Sequence, residues 1–189
     1  MNLESLFSAL GYLWLIAEIL LALFTSTRKG GGKVVDRGSQ LILWVVIIAV
    51  SWIDGWMHTI LPVDMPGSHT WLRPLAFGIL LLGLAIRITA IVTLGRAFSA
   101  NVAMRNDQQL RRNGLYGIVR HPSYLGLELI LLAFALHSRT WECVAVVFIT
   151  PTLAVLYRIH VEEKVLREAF GTEYEDYGRT TKRLFPGIY

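Results

Sequence analysis

Apolar residues fall along this chain in long blocks, separated by polar and basic stretches. The blocks have the length of a bilayer crossing rather than of a short core helix. Five can be drawn, over residues 6–24, 41–61, 72–94, 122–136 and 141–158. The first three reach the roughly 20 residues that a span requires. The fourth is short, and only His137-Ser138-Arg139-Thr140 joins it to the fifth. The last two blocks are therefore expected to form a helical hairpin, with the fourth extended by the residues before it. Pro151 falls inside the fifth block and predicts a distortion there, because it removes a backbone donor and crowds the preceding turn. Beyond Arg158 an apolar stripe continues through Val161, Val165, Leu166, Ala169 and Phe170, and Gly171 reads as the stop. Thr172 is expected to cap a second short helix that reaches about Lys182, with Tyr174 and Tyr177 suited to the membrane interface.

The expected fold class is all-α, an integral membrane bundle of about five transmembrane helices with a helical segment after the last. Composition supports the membrane assignment. Of 189 residues, 54% are hydrophobic and 17% charged, whereas soluble domains carry about 25% charged residues. Mean hydropathy is +0.50. A single membrane domain is expected. The net charge of +4 would admit a nucleic-acid role, but the basic residues lie in the loops between apolar blocks and form no basic face. Arg28, Lys29, Lys33 and Arg37 precede the second block. Arg96, Arg105, Arg111, Arg112 and Arg120 precede the fourth, and Lys164, Arg167, Arg179, Lys182 and Arg183 follow the fifth. The alternate loops offer only Arg73 and Arg139. This bias predicts an amino terminus outside, a carboxyl terminus in the cytoplasm, and polar clusters facing the cytosol.

The start Met1-Asn-Leu-Glu-Ser has no basic leader region and reads as an uncleaved first span. The lone Cys143 supports neither a disulfide nor a cysteine metal site. The five histidines share no ligand spacing, so no metal is expected. Gly30-Gly31-Gly32-Lys33 is followed by Val34 and preceded by no strand, so it reads as a flexible loop rather than a phosphate loop.

Candidate chemistry concentrates in two places. The run Gly114-Leu-Tyr-Gly-Ile-Val-Arg-His-Pro-Ser-Tyr124 packs Tyr116, Arg120, His121, Ser123 and Tyr124 around a helix-starting Pro122. A helix start favours an anion, and these side chains form a cradle for a carboxylate. The second cluster is Arg158-Ile-His-Val-Glu162-Glu163. Arg158 and Glu162 share a helix face, at a depth where charge is costly unless it is used. Glu163, Lys164 and Arg167 read instead as helix-surface ion pairs. Glu18, Asp54, Arg87 and Glu128 lie within or near apolar blocks, and Arg87 with Glu128 is one possible pair.

On these residues the chain resembles the isoprenylcysteine carboxyl methyltransferase family of membrane methyltransferases, and more distantly the phospholipid N-methyltransferases. The resemblance runs through Arg87, Thr93-Leu-Gly-Arg-Ala-Phe98, Gly114-Leu-Tyr116, Arg120-His-Pro-Ser-Tyr-Leu-Gly126, Arg158 to Glu163, Phe170-Gly-Thr-Glu-Tyr174 and Arg183-Leu-Phe-Pro186. It covers residues 84–189 as a catalytic region, and residues 1–82 stand as variable amino-terminal helices. The resemblance implies S-adenosylmethionine as methyl donor, held by Gln108, Gln109, Leu110, Arg111, Tyr116, His121, Pro122, Ser123, Tyr124 and Glu162. It implies Arg158 and Glu162 as catalytic residues, with Arg158 facing a lipophilic or lipidated acceptor, a carboxylate of the isoprenylcysteine kind being favoured. The chain departs from the family at Gln108, where members often carry His, and at Leu115, where Pro is common. The alternatives are methylation of a lipid amine, which would place Glu128 or Glu163 in the site, a sterol-reductase-like enzyme using NADPH, and a non-enzymatic bundle or transporter.

Overall fold

The computed structural model describes residues 2–24, 33–36, 38–60, 71–98, 102–104 and 109–189. Its main elements are α1 (Leu3–Phe24), β1 (Lys33–Asp36), α2 (Gly38–Ile60), α3 (Leu72–Leu94), β2 (Val102–Met104), α4 (Pro122–His137), α5 (Trp141–Cys143), α6 (Thr150–Phe170) and α7 (Thr172–Thr180). Every long element is a helix, as the apolar blocks predict. The addition is a short antiparallel ladder between β1 and β2, irregular between Val34 and Asp36. It lies in the two basic loops, where no apolar alternation announces a strand. Lys33 of the glycine-rich run thus opens β1, while Gly30–Gly32 fall outside the described residues.

Three helices are long and apolar enough to cross a membrane: Leu3–Phe24, Leu72–Leu94 and Val144–Phe170. Gly38–Val50 and Pro122–His137 are shorter apolar helices. The outer wall carries Leu13, Ile16, Leu20, Leu82, Ile88 and Val92, all exposed. Apolar side chains on the outside suit a bundle whose solvent is lipid.

Inside, Phe7, Trp14, Leu43, Ile47, Leu80, Leu127, Ile130, Val155 and Ile159 form one core that joins α1, α2, α3, α4 and α6. The tightest seam joins α3 to α4, where two glycines let the backbones meet. A Cβ on Gly83 would come within 2.9 Å of the Gly126 carbonyl oxygen, and one on Gly126 within 2.7 Å of the Arg87 nitrogen. Small residues at such crossings replace the hydrophobic drive that lipid removes. Gly78, the other glycine that could have served this seam, faces open space.

The turn after α4 is as tight as its four residues predict, with Arg139 at φ 61°. The distortion expected from Pro151 takes the form of a π-helical turn, Val144–Ile149, immediately before the proline. A widened turn accommodates the ring that an α-turn would crowd. At the far end α6 stops at Gly171, with φ 53°. Gly171 rather than Thr172 is the N-cap of α7. Tyr174 and Tyr177 turn inward and are buried, so they are core residues of α7 instead of interface anchors. Of the stripe that carries α6 onward, Val165 is buried and Ala169 exposed.

Candidate active site

A cavity opens between the polar ends of α1, α2, α3, α4 and α6. Sequence-predicted residues Gln109, Leu110, Arg111, Tyr116, His121, Ser123, Tyr124, Arg158 and Glu162 line it. Two segments that start far apart in the chain are thus brought to one wall. Pro122 is the first residue of α4 and fully buried behind the lining. Gln108 lies outside the described residues.

The start of α4 is held by the carboxyl-terminal segment. The backbone N–H of Arg120 donates to the Lys182 carbonyl at 2.8 Å, and that of His121 to the Arg183 carbonyl at 2.9 Å. Tyr177 closes the same region by donating its hydroxyl to the Tyr116 carbonyl. Burial pushes the Tyr177 phenol up to about 12 against the opposing charges of Arg120 and Arg112. Burial, with the Glu162 charge, also raises the Tyr116 hydroxyl above the usual phenol range, so it stands as a neutral donor to the Ala90 carbonyl at 3.3 Å.

Arg158, Tyr124 and Glu162 form one chain of contacts. Arg158 Nε donates to the Tyr124 hydroxyl at 2.7 Å, and that hydroxyl donates to Glu162 Oε2 at 2.7 Å. The expected Arg158–Glu162 pairing therefore runs through Tyr124. Glu162 is partly open, and its Oε1 lies 4.0 Å from His121 Nδ1.

The anion cradle expected at the start of α4 is largely occupied by the protein itself. Arg120 Nη2 lies 3.0 Å from Glu163 Oε1, and Ser123 accepts from Arg87 Nη1 through its carbonyl at 2.8 Å and its hydroxyl at 2.9 Å. Glu163 also corrects the expectation of a surface ion pair. It does meet Arg167 at 2.8 Å one turn away, but it is 1% exposed and also takes Arg183 Nε at 3.0 Å. The carboxyl-terminal segment covers the face that helical spacing alone left open.

Arg87 does not pair with Glu128. Its Nη2 donates to Glu18 Oε2 at 2.7 Å and its Nε to Glu18 Oε1, while Trp14 Nε1 adds a bond to that oxygen at 3.1 Å. Glu128 instead accepts from Thr152 Oγ1 at 2.7 Å, behind the cavity wall. Sequence reasoning missed Glu18, Trp14, Leu43, Trp44 and Phe98 as cavity residues. A charge inside an apolar block was the available signal for Glu18, and Phe98 closes the Thr93–Phe98 stretch; the other apolar residues carried none. The side chain of Asp54 lies outside what is described. Among the described residues no group of His, Cys, Asp or Glu could hold a metal ion.

The cavity fits a ligand that carries both charge and an apolar part. Glu162 offers a carboxylate held by a neutral hydroxyl, in contrast to Glu18, which Arg87 already balances. At the same end the buried Arg120 Nε lacks a hydrogen-bond partner, while His121 Nε2 faces Glu163 Oε1 at 3.6 Å. Towards α1 and α2 the lining turns apolar, with Trp14, Leu43, Trp44 and Ile47.

Residues 76–168 match the isoprenylcysteine carboxyl methyltransferase (ICMT) family. Protein-S-isoprenylcysteine O-methyltransferase B of Arabidopsis thaliana is 27% identical, over 98% of this chain and 100% of that protein. The protein-S-isoprenylcysteine O-methyltransferase of Schizosaccharomyces pombe is 35% identical over 60% of this chain, which spans 49% of that longer relative. In fold, the chain superposes on the eukaryotic intramembrane Ras methyltransferase ICMT with a TM-score of 0.74 at 23% identity, covering 98% of this chain and 67% of that one.

Proposed function

With a membrane methyltransferase similar to the isoprenylcysteine carboxyl methyltransferase family as premise, we propose that this chain transfers a methyl group from S-adenosylmethionine to the carboxylate of a lipophilic, isoprenylcysteine-like acceptor. The reaction takes place at the cytosolic face of the membrane, with the amino terminus outside. Residues 84–189 carry the catalytic groups, and residues 1–82 complete the cavity within one membrane domain. The observation that carries the reading is the juxtaposition of Glu162 and Arg158 through the Tyr124 hydroxyl at one cavity wall.

Bound S-adenosylmethionine supplies an electrophilic methyl group on a sulfonium. Glu162 would take its ammonium or ribose hydroxyls. His121 and Tyr116 would hold the methionine end, and Gln109, Leu110 and Arg111, with Gln108 beside them, would close over it. Arg158 orients the acceptor carboxylate, whose oxygen is the nucleophile and is already ionised at neutral pH. One C–O bond forms, one C–S bond breaks with its electron pair left on sulfur, and no proton needs to move. The protein's share is positioning and exclusion of water. The apolar wall of Trp14, Leu43, Trp44 and Ile47 gives the lipid part of the acceptor its place.

A lipid-amine acceptor would call for a carboxylate beside the reacting centre to take a proton. Glu128 is bound by Thr152 and Glu163 by Arg120, Arg167 and Arg183, and neither lines the cavity. This favours the carboxylate. The test is a binding titration of S-adenosylmethionine on the purified protein beside Glu162→Ala, followed by transfer of labelled methyl to an isoprenylcysteine. Saturable binding that Glu162→Ala weakens is expected. No binding by the parent protein would sink the reading.

A further inference from the structure

We propose that Ser39, backed by Asp36, is a positioning residue that fixes the Arg158 guanidinium, and that this hold makes the site select an anionic acceptor over its neutral counterpart. The inference rests on Arg158 facing the acceptor, as proposed above. Ser39 belongs to the first turn of α2, a region that carried no recognisable motif. It is 1% exposed, and its Oγ accepts from Arg158 Nη1 at 3.1 Å. Ser39 is not among the residues that line the cavity, so it acts through Arg158.

Asp36, at the end of β1, sets the direction of that contact. Its Oδ1 accepts from the Gly38 N–H at 2.9 Å and its Oδ2 from the Ser39 N–H at 3.0 Å, which caps the start of α2. Against the effect of burial, these contacts, with the Ser39 side chain, hold the Asp36 carboxyl below its usual range, and the Ser39 oxygen serves as acceptor for Arg158. Asp36 feels the Arg158 charge as well.

Tyr124 grips Nε and Ser39 grips Nη1, two points on one planar fork. A guanidinium held at two points loses its swing and presents its donors along one direction, as two-oxygen recognition of a carboxylate requires. Ser39 thus contributes to selectivity without touching the acceptor.

The experiment compares Ser39→Ala, Ser39→Thr and Asp36→Asn with the parent in detergent. It measures the affinity for S-adenosylmethionine, and the affinity for N-acetyl-S-farnesylcysteine as free acid and as its neutral amide, with the amide followed as a binder and the acid also by its KM. In the parent the acid is favoured. Ser39→Ala is expected to reduce the acid-over-amide preference about tenfold, the scale of one charge-assisted hydrogen bond, with donor affinity changed by less than about twofold. Asp36→Asn moves the preference the same way, and Ser39→Thr, which keeps the hydroxyl, restores it. A Ser39→Ala protein with the parent's preference overturns the inference. So does one that loses donor binding as well, since Ser39 would then only hold the fold. A parent that binds no S-adenosylmethionine removes the function reading and this inference together.

Discussion

Glu162 and Glu163 are neighbours in sequence and opposites in circumstance. One residue along an α-helix is a rotation of about 100°, so the two carboxylates look out from different faces of α6. Glu163 looks towards the start of α4 and the carboxyl-terminal segment, where Arg120, Arg167 and Arg183 surround it within 3.0 Å. Glu162 looks into the cavity, where the Tyr124 hydroxyl meets it and its side chain stays 31% exposed. Equal chemistry therefore serves two ends. One charge is spent on holding three segments together, and the other is left able to receive a ligand.

The comparison breaks first at Glu163. Glu163→Ala strands the largely shielded Arg120 and frees the partly exposed Arg167 and Arg183, and loss of one partner of a buried ion pair costs about 3–5 kcal/mol. Thermal unfolding in detergent should show the largest drop of any single substitution in the site, and donor binding should fail with the fold. Glu162→Gln should behave the other way. Its melting temperature stays close to the parent's, while S-adenosylmethionine affinity falls by about tenfold or more, the scale of a charge-assisted contact. If the two variants lose stability equally, the division between them is wrong.

Tyr124→Phe sharpens the picture further, since it removes only the hydroxyl that links Glu162 to Arg158. Turnover should drop several-fold, about 1 kcal/mol in the transition state, with little change in melting temperature. Steady-state kinetics beside a thermal melt would check this. The smallest effect concerns pH. The Tyr177 phenol, on the Glu163 side, is pushed up to about 12 by burial, while an unfolded chain releases that proton near pH 10. Its stabilisation is therefore complete below about pH 10 and fades as pH rises towards 12. Melting temperatures across that range should fall more for the parent than for Tyr177→Phe, whose lower starting stability reflects the missing bond to the Tyr116 carbonyl.

Much of this was legible in the chain. Blocks of apolar residues mark every long helix, because lipid demands length and uniformity. Gly171 and Pro151 mark a stop and a distortion by local backbone chemistry alone. Tyr124, Arg158 and Glu162 stood out because charge and hydrogen-bonding groups at a membrane helix end are expensive. What could not be read was the identity of each partner across the bundle. Arg87 selects Glu18 rather than Glu128, and no spacing rule links positions so far apart in the chain. Helical periodicity gave Glu163 its i,i+4 mate, Arg167, but says nothing about the segment that folds over the pair. Tyr174 and Tyr177 were assigned to the interface for the same reason: their amphipathic character suits either a headgroup layer or a polar core, and only the covering segment decides. Ser39 and the β1–β2 ladder had no local signature at all.

The π-helical turn at Val144–Ile149 sets the phase of everything after it. Such a turn acts as an extra residue slipped into the helix, and one residue is worth about a quarter of a revolution. It works as an indexing joint: the angle it adds is inherited by Arg158, Glu162 and Glu163 alike, deciding which of them meets the cavity, the lipid and the covering segment. Deletion of one residue there would turn the whole set together, so the membrane-buried half of the helix holds the compass for chemistry carried out at its other end.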